Sequence, residues 1–311
     1  MSFNQPGDAR YGVHSVDHFA LEVPSLTKAQ HFFEAFGLDV GQRDGSLELR
    51  TTGNDHVWAR LFEGRAKRMA YLSLACWADE FDALAAQVLA NGGTRVDSGP
   101  YVDREGLWFN DPDGNLLQLK PGAKRTPSGL APRNDVLPRA GRRSVLGRSE
   151  TAAVRPRRLS HLMLFSSNLD RSIAFFRDAL GLRLSDRSRD AVAFMHARHG
   201  SDHHLVAFAA SSARGWHHSS WDVDGVDAVG KGGEQMRKAG YTEGWGTGRH
   251  VLGSNFFHYV RDPWGSFAEF SADIDFIPTG MPWPGGDYPP EDSLYLWGPE
   301  LPPYFIENGE A

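Results

Sequence analysis

The sequence predicts an α+β protein built from two homologous halves, each holding two strand-helix-strands modules of βαβββ form. Two internal echoes and the chain's size carry that prediction. A strand-helix stretch containing His18 recurs around His161, and the turn Asp111-Pro112-Asp113-Gly114 recurs at nearly the same offset as Asp262-Pro263-Trp264-Gly265. Two markers sharing one offset indicate a duplicated unit. The chain's 311 residues, 41% hydrophobic and 23% charged, hold enough apolar material for two domains.

The elements follow in order. Val16 to Val23 alternates as a strand does, and Ser25 can cap a helix whose Leu26, Ala29, Phe32, Phe33 and Phe36 share one face before Gly37 ends it. The second module opens with a strand at Tyr71 to Cys76, followed by a helix around Phe81 to Leu89 and then Gly92-Gly93. An N-terminal domain is thus expected over residues 1–125. Residues 126–158, rich in Pro, Gly and Arg, read as a solvated linker packed over the domain junction. The C-terminal domain, 159–275, repeats the pattern. Leu159 to Phe165 is a strand, Asn168 a cap, and Leu169, Ile173, Phe175, Phe176 and Leu180 a helical stripe before Gly181. His218 to Val223 opens the fourth module, with a helix through Val229 to Lys238 ahead of Gly240. Residues 276–311 contain 8 of the 18 prolines, with Trp283, Tyr295, Trp297 and Tyr304 among them, which argues against a helix or regular sheet. An extended arm on its own domain or on a neighbouring subunit is expected.

Composition narrows the functional classes. A net charge of -6 and a pI near 6.1 give no electrostatic reason to bind nucleic acid or an anionic membrane. The single cysteine, Cys76, excludes an intrachain disulfide and a thiolate metal cluster, and fits a small buried hydrophobe in a strand. No apolar run approaches the ~20 residues of a membrane span, and Met1 to Pro6 lack the features of a signal peptide, so a cytoplasmic protein is expected.

The chemistry concentrates between Gly248 and Phe270. Asp262-Pro263-Trp264-Gly265 is a turn signal between two aromatic-rich runs with strand character, which predicts a hairpin carrying Glu269 in its second strand. A carboxylate between Phe267 and Phe270 in a buried strand needs a positive partner, and a metal ion is the simplest. Pairing across a tight turn would set His258 opposite Glu269, whereas a bulge or a one-residue shift would give Tyr259 the inward position.

The repeated modules, the strand pattern His-x-x-x-x-Val, and Phe175-Phe176 before Leu180-Gly181-Leu182 resemble the vicinal oxygen chelate superfamily. Within it, the stretch from His250 to Glu269 resembles the signature of type I extradiol ring-cleavage dioxygenases. That resemblance implies curved mixed sheets around cavities and a metal in the C-terminal domain only. It implies His161, His218 and Glu269 as ligands of Fe(II), with Mn(II) as a second choice and O2 as co-substrate. His217 competes with His218, but His218 precedes Val223 by the same spacing as His18 precedes Val23. Two imidazoles and one carboxylate suit non-haem Fe(II), although a zinc hydrolase can use the same donors. The equivalent positions of the first half, His18, Tyr71 and Gln118, make a poor divalent site.

The resemblance further implies His204 as an acid-base residue, suited by an imidazole pKa near working pH, and His250 and Tyr259 as the pair that hydrogen-bonds the substrate. His258, standing where the family has an apolar residue, is a further pocket candidate, while His203 and His217 are assigned to the surface or to minor roles. The implied substrate is a catechol, opened beside its diol in aromatic-compound degradation, and a homo-oligomer is expected. Arg249 and Arg261 could read a ring carboxylate or simply be solvated. Keto-acid dioxygenases, glyoxalase-like isomerases and metal-free drug-binding modules of the same fold are the alternatives.

Overall fold

The computed structural model describes residues 10–132, 138 and 140–311. The expectations for residues 1–9 and for linker residues 133–137 and 139 lie outside these.

Local sequence sets the first elements. β1 (Ser15–Val23) leads into α1 (Leu26–Phe36), where Ser25 accepts a hydrogen bond from the Lys28 amide and Gly37 adopts φ 97. A β-carbon at Gly37 would lie 2.2 Å from the Val154 carbonyl oxygen, so both its conformation and its packing require glycine. The first half continues with β2 (Asp39–Arg43), β3 (Ser46–Arg50), β4 (Ala59–Glu63), β5 (Arg68–Cys76), α2 (Phe81–Ala90), β6 (Thr94–Arg95), β7 (Leu107–Asn110) and β8 (Leu116–Pro121). Its eight strands form one mixed sheet in the order β2-β3-β4-β1-β5-β8-β7-β6.

The second half repeats this with β9 (Arg158–Ser166), α3 (Leu169–Asp178), β10 (Leu182–Ser188), β11 (Val192–Ala197), β12 (Ser201–Asp202), β13 (Val206–Ala210), β14 (Gly215–Asp222), α4 (Val226–Lys238), β15 (Gly244–Arg249), β16 (Phe256–Arg261) and β17 (Phe267–Ala272). The sheet order β10-β11-β13-β9-β14-β17-β16-β15 matches that of the first. The four-module prediction therefore holds. Helix α4 starts earlier than the apolar stripe suggests, at Val226, because Gly225 and Asp224 end the preceding strand region.

The two halves share a core. Phe36 of α1 stacks on Phe270 of β17, with ring centroids 3.8 Å apart, and Phe19 of β1 lies against Trp216 of β14. The described end of the linker packs at this junction: Val154 is buried, and Gln235 of α4 bonds both its amide and the Ala35 carbonyl. The arm packs on its own domain. It begins with β18 (Phe276–Ile277), which pairs with β12, so regular pairing reaches one step further than the prolines suggest. It then runs extended, with two short 3-10 turns, and Phe305 is buried against Trp245 and Phe267. Glu310 accepts from the Met69 and Trp216 amides, one in each half. No helix among the described residues is long and apolar enough to cross a membrane.

Candidate metal centre and pocket

Sheet register assembles the site. β14 runs antiparallel to β9 and parallel to β17, and Ser220 faces both His161 and Glu269. His218 lies two residues before Ser220 and so shares its face. The ligand atoms of His161, His218 and Glu269 all lie within 4.8 Å of one another, with His161 Nε2 3.2 Å and His218 Nε2 3.6 Å from Glu269 Oε2. All three side chains are buried. The first half has the same register with other residues: His18 faces Ser73, which faces Gln118, and Tyr71 stands where His218 does. There the polar atoms satisfy one another, through His18 Nε2 to Tyr71 Oη and Ser73 Oγ to Gln118 Oε1.

The second-half cluster is not self-satisfied. His218 Nε2 and Glu269 Oε2 are buried without a hydrogen-bond partner, whereas Glu269 Oε1 accepts from Asn255 Nδ2 at 3.2 Å. An unpaired imidazole nitrogen facing an unpaired carboxylate oxygen in a buried site needs a cation between them. Two nitrogens and a carboxylate oxygen fit a divalent metal with open positions. Burial holds the His218 and His204 imidazoles well below their usual range, which keeps them neutral.

The hairpin settles the choice between His258 and Tyr259. The Asp262 amide bonds Ser266 O at 2.7 Å and Gly265 takes φ 96, so three residues rather than two span the loop. That is a turn followed by a left-handed glycine. The extra residue sets Tyr259 opposite Glu269 and His258 opposite Phe270. Tyr259 Oη reaches His250 Nε2 at 3.0 Å, and burial raises the phenol well above its usual range. His258, expected in the pocket, points instead at α4, where a β-carbon on Gly233 would meet its ring at 2.4 Å.

A cavity of about 400 Å³ opens onto the cluster, lined by His161, His204, His218, His250 and Tyr259 and walled by apolar side chains such as Phe165, Val192, Phe194 and Leu252. His204 packs on the His161 ring at a centroid distance of 3.9 Å. Neither Arg249 nor Arg261 lines it. Arg249 bonds Ser254 O and covers Phe256, and Arg261 pairs with Glu243 over Tyr304. His203 and His217 are fully buried rather than superficial. A bulge in β14 between Trp216 and His218 turns His217 toward the cavity beside His218. The signal for both was present as two adjacent pairs, His203-His204 and His217-His218. Asn255 carried no comparable signal.

Residues 158–270 match the family described as the Glyoxalase/Bleomycin resistance protein/Dioxygenase superfamily. Metapyrocatechase 2 of Cupriavidus necator is 55% identical over 97% of this chain and 94% of its own. A manganese-dependent 2,3-dihydroxybiphenyl 1,2-dioxygenase of a Geobacillus species (genomosp. 3) is 24% identical over 92% of this chain and 94% of its own. In fold, the chain superposes on the crystal structure of 2,2',3-trihydroxybiphenyl 1,2-dioxygenase from Sphingomonas wittichii with a TM-score of 0.72, at 22% identity over 94% of this chain and 100% of that one. With more than half its residues shared with metapyrocatechase 2 across nearly its whole length, and a His, His and Glu cluster on the sheet of its second half, the chain belongs to the extradiol ring-cleavage dioxygenases of this superfamily.

Proposed function

We propose that the protein opens the ring of a catechol beside its vicinal diol, adding both atoms of O2 to give a hydroxymuconic semialdehyde-type product. The observation that carries this is the buried cluster of His161, His218 and Glu269 with unpaired acceptors, open on one side to an apolar cavity flanked by His204, His250 and Tyr259. Fe(II) is the metal this reading assigns, and Mn(II) is its competitor because a relative is named for manganese. His161, His218 and Glu269 would hold the metal, which would supply Lewis acidity toward the diol and charge transfer to O2.

The chain's own residues do the rest. The Tyr259 and His250 pair, at the cavity wall, hydrogen-bonds a diol oxygen and receives its proton as the substrate docks. His204, neutral and beside the His161 ring, takes a proton at Nε2 and returns it to the cleaving oxygen. The apolar walls exclude water from the reacting centre. No Lys, Arg, Asp or Glu lines the cavity among the described residues, so the substituent on the catechol is uncharged, alkyl or aryl, rather than a carboxylate. Assembly as a homo-oligomer and residence in the cytoplasm belong to the same reading, and sedimentation velocity tests the first.

The experiment is metal analysis of anaerobically purified protein, followed by catechol, 3-methylcatechol, 2,3-dihydroxybiphenyl and an acetate-bearing catechol in air, watching O2 uptake and yellow product. About one iron per chain, turnover of the neutral catechols and none in His161→Ala are expected. Iron without turnover of any catechol would move the protein to an isomerase or keto-acid chemistry of the same superfamily.

A further inference from the structure

Besides His217, four imidazoles line the cavity, and each is hydrogen-bonded through Nδ1: His161 to Ser160 Oγ at 3.2 Å, His204 to His203 Nδ1 at 3.0 Å, His218 to His217 Nδ1 at 2.7 Å and His250 to Leu294 O at 2.7 Å. A contact between two imidazole nitrogens holds one proton, and its owner is decided by the far end of the outer ring. His217 Nε2 lies 2.9 Å from the carbonyl oxygen of Phe305, which can only accept. His217 therefore carries its proton at Nε2, its Nδ1 is bare, and the shared proton belongs to His218. His203 repeats the arrangement, with Nε2 2.6 Å from Asp186 Oδ2, so the shared proton there belongs to His204. Asp186 is itself held by the Trp283 indole at 3.0 Å and the Gly286 amide at 2.7 Å.

The outer partners share an origin. Trp283, Gly286, Leu294 and Phe305 all belong to the C-terminal arm. We propose that the arm is a template for imidazole tautomers: through the Phe305 and Leu294 carbonyls and through Asp186 it places the Nδ1 protons of His218, His250 and His204 outward. Each Nε2 is left bare toward the cavity. At His218 that lone pair is the one a metal needs, at His250 it accepts from Tyr259, and at His204 it is the site that receives a proton. His203 and His217 are positioning residues, acting through the ring beside them. Only the role given to His204 rests on the ring-cleavage reading.

Zinc-loaded protein, diamagnetic and needing no turnover, supplies the test. Long-range 15N–1H spectra of the histidines should show His204, His218 and His250 protonated at Nδ1, and His203 and His217 at Nε2. In His217→Phe the acceptor is lost, and affinity for Zn(II) should fall about 10–100-fold. His217→Asn, with an amide oxygen near the former Nδ1 position, should recover most of it. His203→Phe should leave Zn(II) affinity unchanged, mix the His204 tautomers, and lower kcat for 3-methylcatechol with KM held. Inner rings protonated at Nε2 in the unaltered protein would overturn the proposal. So would His217→Asn binding zinc as weakly as His217→Phe, or His203→Phe leaving the His204 signals unmoved.

Discussion

At the scale of single residues, the centre is a problem of charge. Glu269 Oε2 is completely buried between two imidazole nitrogens and has no donor of its own. Glu269→Gln keeps the shape but puts neutral donor or acceptor atoms where a cation needs charge, so stoichiometric metal should be lost, as read by metal analysis after gel filtration. Asn255→Ala removes the amide that holds Glu269 Oε1, and metal affinity should fall about 10–100-fold, as followed by competition with a chelator. The ligands were legible in the sequence because each stands at a repeated position of a repeated module. Tyr259 over His258 was not decidable there: the outcome turned on one extra loop residue, the left-handed Gly265, which no periodicity records. His203 and His217, expected at the surface or in minor roles, are buried: the β14 bulge carries His217 inward beside His218, and His203 is held against Asp186.

At the scale of elements, α4 shows how packing overrides propensity. It carries Gly230, Gly232 and Gly233 in 13 residues, a composition that weakens a helix. A β-carbon on Gly232 would fall 2.7 Å from the Phe270 ring, itself pinned by Phe36, while one on Gly230 would meet nothing within 4 Å. Gly232→Ala should therefore destabilise by about 1–3 kcal/mol through overpacking. Gly230→Ala should stabilise by up to about 1 kcal/mol through helix propensity. Urea midpoints of the two variants should move in opposite directions. The strand and helix spans could be read from alternation, caps and terminal glycines, which are local rules. The glycines that let α4 approach the sheet obey a tertiary rule, and the early start of that helix was hidden with them.

At the scale of the whole molecule, the duplication was visible in sequence, but the fusion of the two cores was not. Contacts such as Phe36 on Phe270 and Phe109 near Phe175 join elements far apart in the chain, so metal-free protein should unfold in one transition rather than domain by domain. Calorimetric and van't Hoff enthalpies that agree would establish this. Acid should be the weak flank. Burial pushes His14 down to about 4 and His196 to about 3, from an ordinary value of 6.5. Below pH 6.5 the unfolded chain binds protons that the native chain refuses, so stability falls as pH drops toward 4, by up to about 1.4 kcal/mol per pH unit for each group. Urea midpoints of metal-free protein at pH 7 and pH 5 check the sign, and His196→Asn should flatten the slope. The arm adds an evolutionary consequence. Leu294 and Phe305 line the cavity, and they grip His250 and His217 with backbone carbonyls that every amino acid possesses. Descendants of this chain are free to exchange the half-buried Leu294 side chain and drift toward new substrates while the inherited grip on His250 passes on unaltered.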